Sequence, residues 1–309
     1  MHRYIIKRLF MLIPVILGIS LIIFSIVSLS PGNPGRLSLG VNASEEAVEQ
    51  LNRKLGYYDP FIVKYKNYLV NAIQGDFGQS YRTGESVFSM IAVRLPTTMK
   101  LAMFAITIAA VFGIPIGILS AVKQYSFIDA ASMVAALLLA SIPGFWLGLI
   151  LILTFSLKLG IFPVTGSDTP LHYVLPSITI AAPSLAVIIR VTRSTMLEVI
   201  RQDYVRTARS KGSGELKIIL KHCLRNAMIP VVTIIGMDFG YLLGGTIIAE
   251  TLFGMPGVGE LMVKAIRMKD LPVIMASVIL LAAIFCILNL VIDIIYSFID
   301  PRIKASYKT

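Results

Sequence analysis

The sequence predicts an all-α membrane protein of six transmembrane helices, and two observations carry that prediction. Of 309 residues, 56% are hydrophobic and only 15% charged, with a mean hydropathy of +0.80, whereas soluble domains average about 25% charged. The apolar residues also gather into six stretches, each near the ~20 residues that cross a hydrocarbon core about 30 Å thick. The net charge of +11 does not point to nucleic acid, because the basic residues sit between apolar runs rather than on one solvated face. Cys223 and Cys286, the only cysteines, exclude a disulfide-stapled scaffold, and His2, His172 and His222 lack zinc-ligand spacing.

The first stretch, Leu9–Leu29, follows a basic flank running from His2 to Arg8. That flank fits the start of a signal peptide, but the apolar run is longer and no A-x-A site follows, so a retained span is expected. The others are Thr98–Ala121, Met133–Leu157, Val174–Ile189, Val231–Phe253 and Val273–Ile299. Apolar residues fill every face instead of alternating, which predicts helices rather than barrel strands. Kinks are expected at Pro14, Pro115 and Pro143-Gly144, and Pro176 and Pro183 blur the fourth span.

The segment Ser30–Thr97 is too long to be structureless. In its first predicted helix Ser44 caps, Glu45 and Glu46 favour the N-terminus, Val48, Leu51 and Leu55 make a face, and Gly56 stops it. A second begins at Asp59-Pro60, repeats Phe61, Ile62, Tyr65, Tyr68, Leu69 and Ala72 at helical spacing, and ends at Gly75. Such a subdomain shields the ends of the spans, presents a docking surface to a soluble partner, or does both. The division expected is 1–29 for the first span, 30–97 for this subdomain, 98–299 for a five-helix core with a loop at 190–230, and 300–309 for a tail.

Six spans put both ends on one side. Segments 1–8, 122–132, 190–230 and 300–309 then share a face with 16 of the 28 basic residues but five of the 17 acids. The whole net charge lies there, which places both termini in the cytosol. Within 190–230, a polar basic run, Arg201 to Lys211, is broken by Gly212-Ser213-Gly214. A helix Glu215–Ala227 follows, with Leu216, Ile219, Leu220, Cys223, Leu224 and Ala227 on an apolar face and Lys217, Lys221 and Arg225 on a cationic one. Ordinary inner-loop basicity accounts for the composition; the helix, glycine break and second helix instead suggest a rigid knob offered to a cytosolic protein.

Inside the spans lie Asp238, Glu250, Asn289 and Asp293. Ionisable groups there cost about 2.5–3.5 kcal/mol by insertion scales, so they should face a cavity or a partner. Asn289, Asp293, Tyr296 and Ser297 form one stripe, and Gly236, Gly240 and Gly244 one small-residue face. The carboxylates are either tied to neighbours or line the path of a zwitterionic or cationic solute. No G-x(4)-G-K-[ST] is present, so energy for transport must come from elsewhere. Met237-Asp238 and Ile292-Asp293 are not the contexts of an intramembrane aspartyl protease, and no repeated halves announce an ion-coupled carrier working alone.

From end to end the chain resembles the permease subunits of bacterial ATP-binding-cassette importers of the dipeptide/oligopeptide/nickel family. The resemblance rests on Ser30-Pro31-Gly32-Asn33-Pro34, Gly75-Asp76-Phe77-Gly78-Gln79-Ser80, Arg94-Leu95-Pro96-Thr97-Thr98 and the inner-loop run from Gln202 to Gly212. It extends through Arg225-Asn226-Ala227-Met228-Ile229-Pro230, Leu243-Gly244-Gly245-Thr246, Glu250, Pro256-Gly257-Val258-Gly259 and Asp300-Pro301-Arg302. The wider superfamily marks its ATPase-contacting loop with E-A-A-x(3)-G-x(9)-I-x-L-P. Here Thr207-Ala208 and Gly212 fit, Arg206 replaces the glutamate, and Pro230 falls eighteen residues after the glycine.

What the resemblance implies is a type I importer permease fold and a coupling helix around Arg206–Lys217 that enters a groove on an ATPase. Tyr204, Arg206, Thr207, Ala208, Lys211 and Gly212 are the implied contacts, with Gly212 serving tight approach or a helix end. It also implies a second homologous permease, two ATP-binding subunits that hold ATP and Mg2+, an extracytoplasmic binding protein, and no cofactor or catalytic residue in this chain. The substrate classes implied are di- or oligopeptides, glutathione, or a chelated metal such as nickel.

Overall fold

The computed structural model describes residues 2–29, 32–40 and 42–299, with side chains for 10–29, 32–40, 42–292 and 294. Ser30-Pro31, the string Asp300-Pro301-Arg302, the tail 300–309, and the side chains of residues 2–8, Asp293, Tyr296 and Ser297 lie outside the described residues. In chain order the helices are α1 (His2–Leu29), α2 (Pro34–Leu39), α3 (Glu45–Lys54), α4 (Phe61–Ile73), α5 (Val87–Val122), α6 (Phe127–Ser141), α7 (Gly144–Leu151), α8 (Leu171–Ile200), α9 (Asp203–Ser210), α10 (Glu215–Lys217), α11 (Leu224–Leu252), α12 (Val258–Met268) and α13 (Leu271–Ile299). Two π-helical stretches, Ile152–Lys158 and Ile218–Cys223, extend α7 and join α10 to α11. Among the described residues five helical stretches are long and apolar enough to cross a membrane, and α6 with α7 makes a sixth if counted as one span bent by 102°.

Several spans outrun their apolar windows. α5 begins at Val87 rather than Thr98, and α8 spans 30 residues straight through Pro176 and Pro183. A helix need not stop where it leaves hydrocarbon, and hydropathy does not see the part that continues. α1 and α5 likewise run on through Pro14 and Pro115. At Pro143-Gly144 the expected kink is a full break, because the ring removes a donor and bars the preceding turn.

The chain forms two compact units. One holds residues 2–98 and 256–287. Here Ser44 caps α3 by accepting from the Ala47 amide at 3.3 Å, and Gly56 and Gly75 take φ of +66° and +83° beyond α3 and α4. Both predicted helices form, though Leu55 and Ile62, expected on their apolar faces, are exposed. Phe24 of α1 packs on Phe61, Tyr65 and Tyr68 of α4 at ring separations of 5.4, 5.3 and 5.7 Å. Burial holds the Tyr68 hydroxyl neutral well above its ordinary range.

Three of the strings quoted above meet in a core of this unit. Phe77 packs with Val87, Met90 and Ile91 against Val258, Leu261 and Ala265 of α12 and Val273 and Ala276 of α13. Asp270, buried ahead of α13, accepts from the Ser80 hydroxyl and from the Tyr81 amide at 3.1 Å, while the Thr98 hydroxyl accepts from the Val258 amide at 2.9 Å. Burial and the Asp270 charge push Tyr81 up to about 12. These strings serve the fold of this unit. A cleft of about 1050 Å³ opens beside them, with Arg53, Lys54, Lys64 and Arg82 among its lining residues.

The second unit, residues 99–255 with 288–299, contains the other four spans. In it α5 closes tightly on α8. A Cβ on Gly117 would stand 2.6 Å from the Thr192 Cβ and 2.8 Å from the Ile189 carbonyl, and one on Gly113 would stand 2.7 Å from Ile188. Gly113 and Gly117, four residues apart, are thus close-packed on α8. Gly244, expected in such a seam, has nothing within 4 Å of where its Cβ would be. Gly117→Ala is expected to wedge α5 from α8 at a cost of about 1–3 kcal/mol, read as a lower melting temperature in detergent. Gly244→Ala, placed in open space, leaves it unchanged.

Candidate functional site

One end of the second unit is built from the C-termini of α5 and α8 and the start of the α10–α11 stretch. Ala121, Met196, Ile218, Cys223 and Ala227 are buried together there, and Val205 of α9 is buried among them without exposed surface. An eight-residue helix is too short to persist alone. α9 stands because Val205, with Ala208 behind it, plugs this cluster, a burial worth about 1.5–3 kcal/mol.

The short helix is fixed at three further points. Tyr204 donates its hydroxyl to the His222 carbonyl at 3.4 Å and accepts from the Asn226 side-chain amide at 2.7 Å. At the far end Gly212 takes φ +77°. Its amide donates to the Arg209 carbonyl at 2.9 Å and the Ser213 amide to the Ala208 carbonyl at 3.2 Å, which closes the C-terminus as a Schellman cap. The Arg209 guanidinium then grips both Glu215 oxygens, at 2.7 and 3.2 Å, across the turn. That pairing raises the Arg209 pKa above its ordinary value.

These contacts sort the six expected residues. Tyr204 and Ala208 face the unit and hold α9 in place. Arg206, Thr207 and Lys211 are exposed and face outward. Gly212 ends the helix, and no group of this chain lies within 4 Å of where its Cβ would be. Missed by the sequence reading were Val205, the Arg209–Glu215 pair and the Asn226 partner. Val205 did leave a signal, as the sole large aliphatic residue between Arg201 and Lys211.

The helix beyond the turn differs from its expected face. Ile218, Cys223 and Ala227 are buried, whereas Leu216 and Leu220 are 72% and 51% exposed. The π-helical stretch Ile218–Cys223 explains this, because its wider turn brings residues five apart onto one face. The helix also runs on into α11 through Pro230, so the basic amphipathic helix and the fifth span are one helical rod.

Among the intramembrane polar residues, Glu250 of α11 is fully buried and engaged by neighbours. Asp238, on the same helix, is half-buried, and its Oδ2 has no hydrogen-bond partner among the described residues. Asn289 of α13 is half-buried and engaged, and the Asp293 side chain lies outside the described residues. No described group of three His, Cys, Asp or Glu is arranged to hold a metal ion.

Residues 113–305 match the family described as binding-protein-dependent transport system inner membrane component, and residues 1–102 match its N-terminal region. The chain is 40% identical over 332 residues to the dipeptide transport system permease protein DppB of Alkalihalophilus pseudofirmus, an alignment covering 98% of this chain and 100% of that one. It is 42% identical over 304 residues to the glutathione transport system permease protein GsiC of Escherichia coli, covering 98% and 99%. Among solved structures, the inward-facing MetNI methionine ABC transporter shares the fold at a TM-score of 0.57 and 17% identity, over 68% of this chain and 96% of that one. A helical bundle carrying an anchored short helix at one end, together with these full-length relatives, identifies the molecule: the chain belongs to the binding-protein-dependent transport system inner-membrane components, as a multi-pass, non-catalytic permease subunit of an ABC importer in the peptide family.

Proposed function

We propose that this chain forms half of the translocation pathway of an ATP-driven importer of peptides, and that α9 is the handle by which a cytosolic ATPase moves it. The observation that carries this reading is α9 itself: a short helix plugged into the bundle by Val205, capped at Gly212, and turning Arg206, Thr207 and Lys211 outward. A rigid attachment of this kind passes on a displacement where a flexible loop would absorb it. ATP and Mg2+ belong to two partner ATPases, a second homologous permease completes the pore, and an extracytoplasmic binding protein delivers the solute. The substrates for which these relatives are named, dipeptide and glutathione, favour short peptides over a nickel chelate.

Both termini are cytosolic in this reading, with α6 and α7 counted as one crossing. Two of the four basic segments, 122–132 and 190–230, meet at one end of the second unit, as a common cytosolic side requires. Residues 30–97 and the cleft bordered by Arg53, Lys54, Lys64 and Arg82 then face outward and suit a soluble partner. Asp238, half-buried and with one buried carboxylate oxygen unpartnered among the described residues, is the path residue in this reading, ahead of the fully buried Glu250, Asn289 and the Asp293 position.

Co-purification followed by reconstitution tests this function. A complex with a second permease and ATPases that takes up labelled dipeptide only with ATP and the binding protein supports it. Uptake by this chain alone, driven by an ion gradient, contradicts it. Asp238→Asn is expected to lower uptake about tenfold, the loss of one charge-assisted contact, and unchanged uptake at equal abundance removes Asp238 from the path.

A further inference from the structure

A second feature of the α9-bearing end is a carboxylate that the transport reading does not use. Asp129 lies in the first turn of α6 with its side chain 5% exposed. Four donors converge on it. The Ser120 hydroxyl of α5 and Nε of Arg193 of α8 both donate to Oδ1 at 2.6 Å. Arg193 Nη2 and the Tyr125 amide donate to Oδ2 at 2.8 and 3.0 Å. One carboxylate thus ties three helices and the turn between two of them. Tyr125 itself sits at φ +62° with its ring almost fully exposed, a backbone conformation that a tyrosine keeps only where its surroundings hold it.

The tie adjoins the α9 anchor. Ser120 precedes Ala121, and Arg193 lies one turn before Met196; Ala121 and Met196 are both buried against Val205. No α6 residue joins the Val205 cluster. Farther along, Ala136 packs on Ala186 and Ile189 of α8, but at this end it is Asp129 that fastens α6 polar-to-polar. α6 leads in turn to the 102° break and to α7, where Gly148 abuts Leu252 of α11 and Phe253 just beyond it. Buried ion pairs are poor sources of stability, and their best-attested use is to select one arrangement over others. A planar guanidinium fork on a carboxylate suits that use, because it is satisfied in one geometry and lost in a sheared one.

We propose that Asp129 and Arg193 are positioning residues for transport, clamping α6 to the α5–α8 end so that a displacement of α9 reaches α6 and α7 as movement of one rigid body. The proposal rests on the reading of α9 as the ATPase handle, and its test separates the two. Asp129→Asn combined with Arg193→Met leaves a carbonyl to accept from the Tyr125 amide, an NH2 to donate to the Ser120 hydroxyl and no unpaired buried charge, so the bundle is spared while the fork is removed. In proteoliposomes containing the full complex, dipeptide taken up per ATP hydrolysed is expected to fall at least about tenfold in the double variant at unchanged abundance. Arg193→Lys, which keeps the charge without the fork, is expected to fall between it and the parent. A parent-like ratio in the double variant overturns the clamp. Loss of complex abundance in both variants, with a parent-like ratio in whatever assembles, assigns the pair to folding and also overturns it. A cysteine at Thr207, crosslinked to the ATPase in parallel, reports on α9 separately. No crosslink in the parent defeats the handle, whereas a crosslink with an unchanged ratio in the double variant defeats the clamp alone.

Discussion

Val205→Asp is expected to abolish uptake while the permease still accumulates in the membrane. Val205 has no exposed surface and is the plug that holds α9 among Ala121, Met196, Ile218, Cys223 and Ala227. An aspartate there forfeits the burial, about 1.5–3 kcal/mol, and adds the larger cost of an unpaired charge in an apolar site. The bundle escapes that cost by releasing α9, since the α5–α8 contact at Gly113 and Gly117 does not depend on it. Once freed, eight residues have too little helical stability to act as a lever. A loss of about 3 kcal/mol in positioning is roughly a hundredfold in uptake, and Val205→Ala, which merely shrinks the plug, should lose far less. Uptake and membrane abundance measured together check this, and an active Val205→Asp variant would mean that α9 needs no anchor.

Substitutions at Gly212 should rank by backbone preference rather than by size. The residue sits at φ +77° in open space, so a side chain meets no obstacle and pays only for the left-handed conformation. Asparagine adopts that region most readily, alanine pays about 1 kcal/mol, and β-branched valine pays more. Gly212→Asn is expected to keep most uptake and Gly212→Ala to lose part of it. Gly212→Val opens the Schellman cap, lets the Arg209–Glu215 bridge slip, and uncouples ATP hydrolysis from uptake. Uptake per ATP across the three variants checks the order. Equal loss in all three would point to a direct contact at Gly212 instead of a cap.

The gross fold was legible because hydropathy and charge act along the chain: each span answers to its own apolar window, and the basic excess to the loops between them. Local chemistry was legible too, as Ser44, Gly56 and Gly75 at the ends of α3 and α4 show. α12 went unread although Val258, Leu261 and Ala265 are spaced for one buried face, a signal hidden in a segment taken as a connection. Other features had no local mark. A π-helical turn at Ile218–Cys223 moves the buried face off the 3.6-residue period assumed in reading it, so Ile218 joins Cys223 and Ala227 inside while Leu216 and Leu220 stand exposed. The partner of Asp129 lies 64 residues away, and nothing along the chain selects Arg193 over the other inner arginines. Pairings between distant helices are decided by packing, here by the glycines that let α5 close on α8.

The most direct measurement places a single cysteine at exposed Thr207 in the assembled, transporting complex and scores crosslinking to each neighbour with and without ATP. An α9 that serves as the motor's handle gives a dominant crosslink to the ATPase subunit, with a yield that changes on nucleotide binding. A complex that transports normally while Thr207→Cys crosslinks only to lipid or to the other permease would contradict that role.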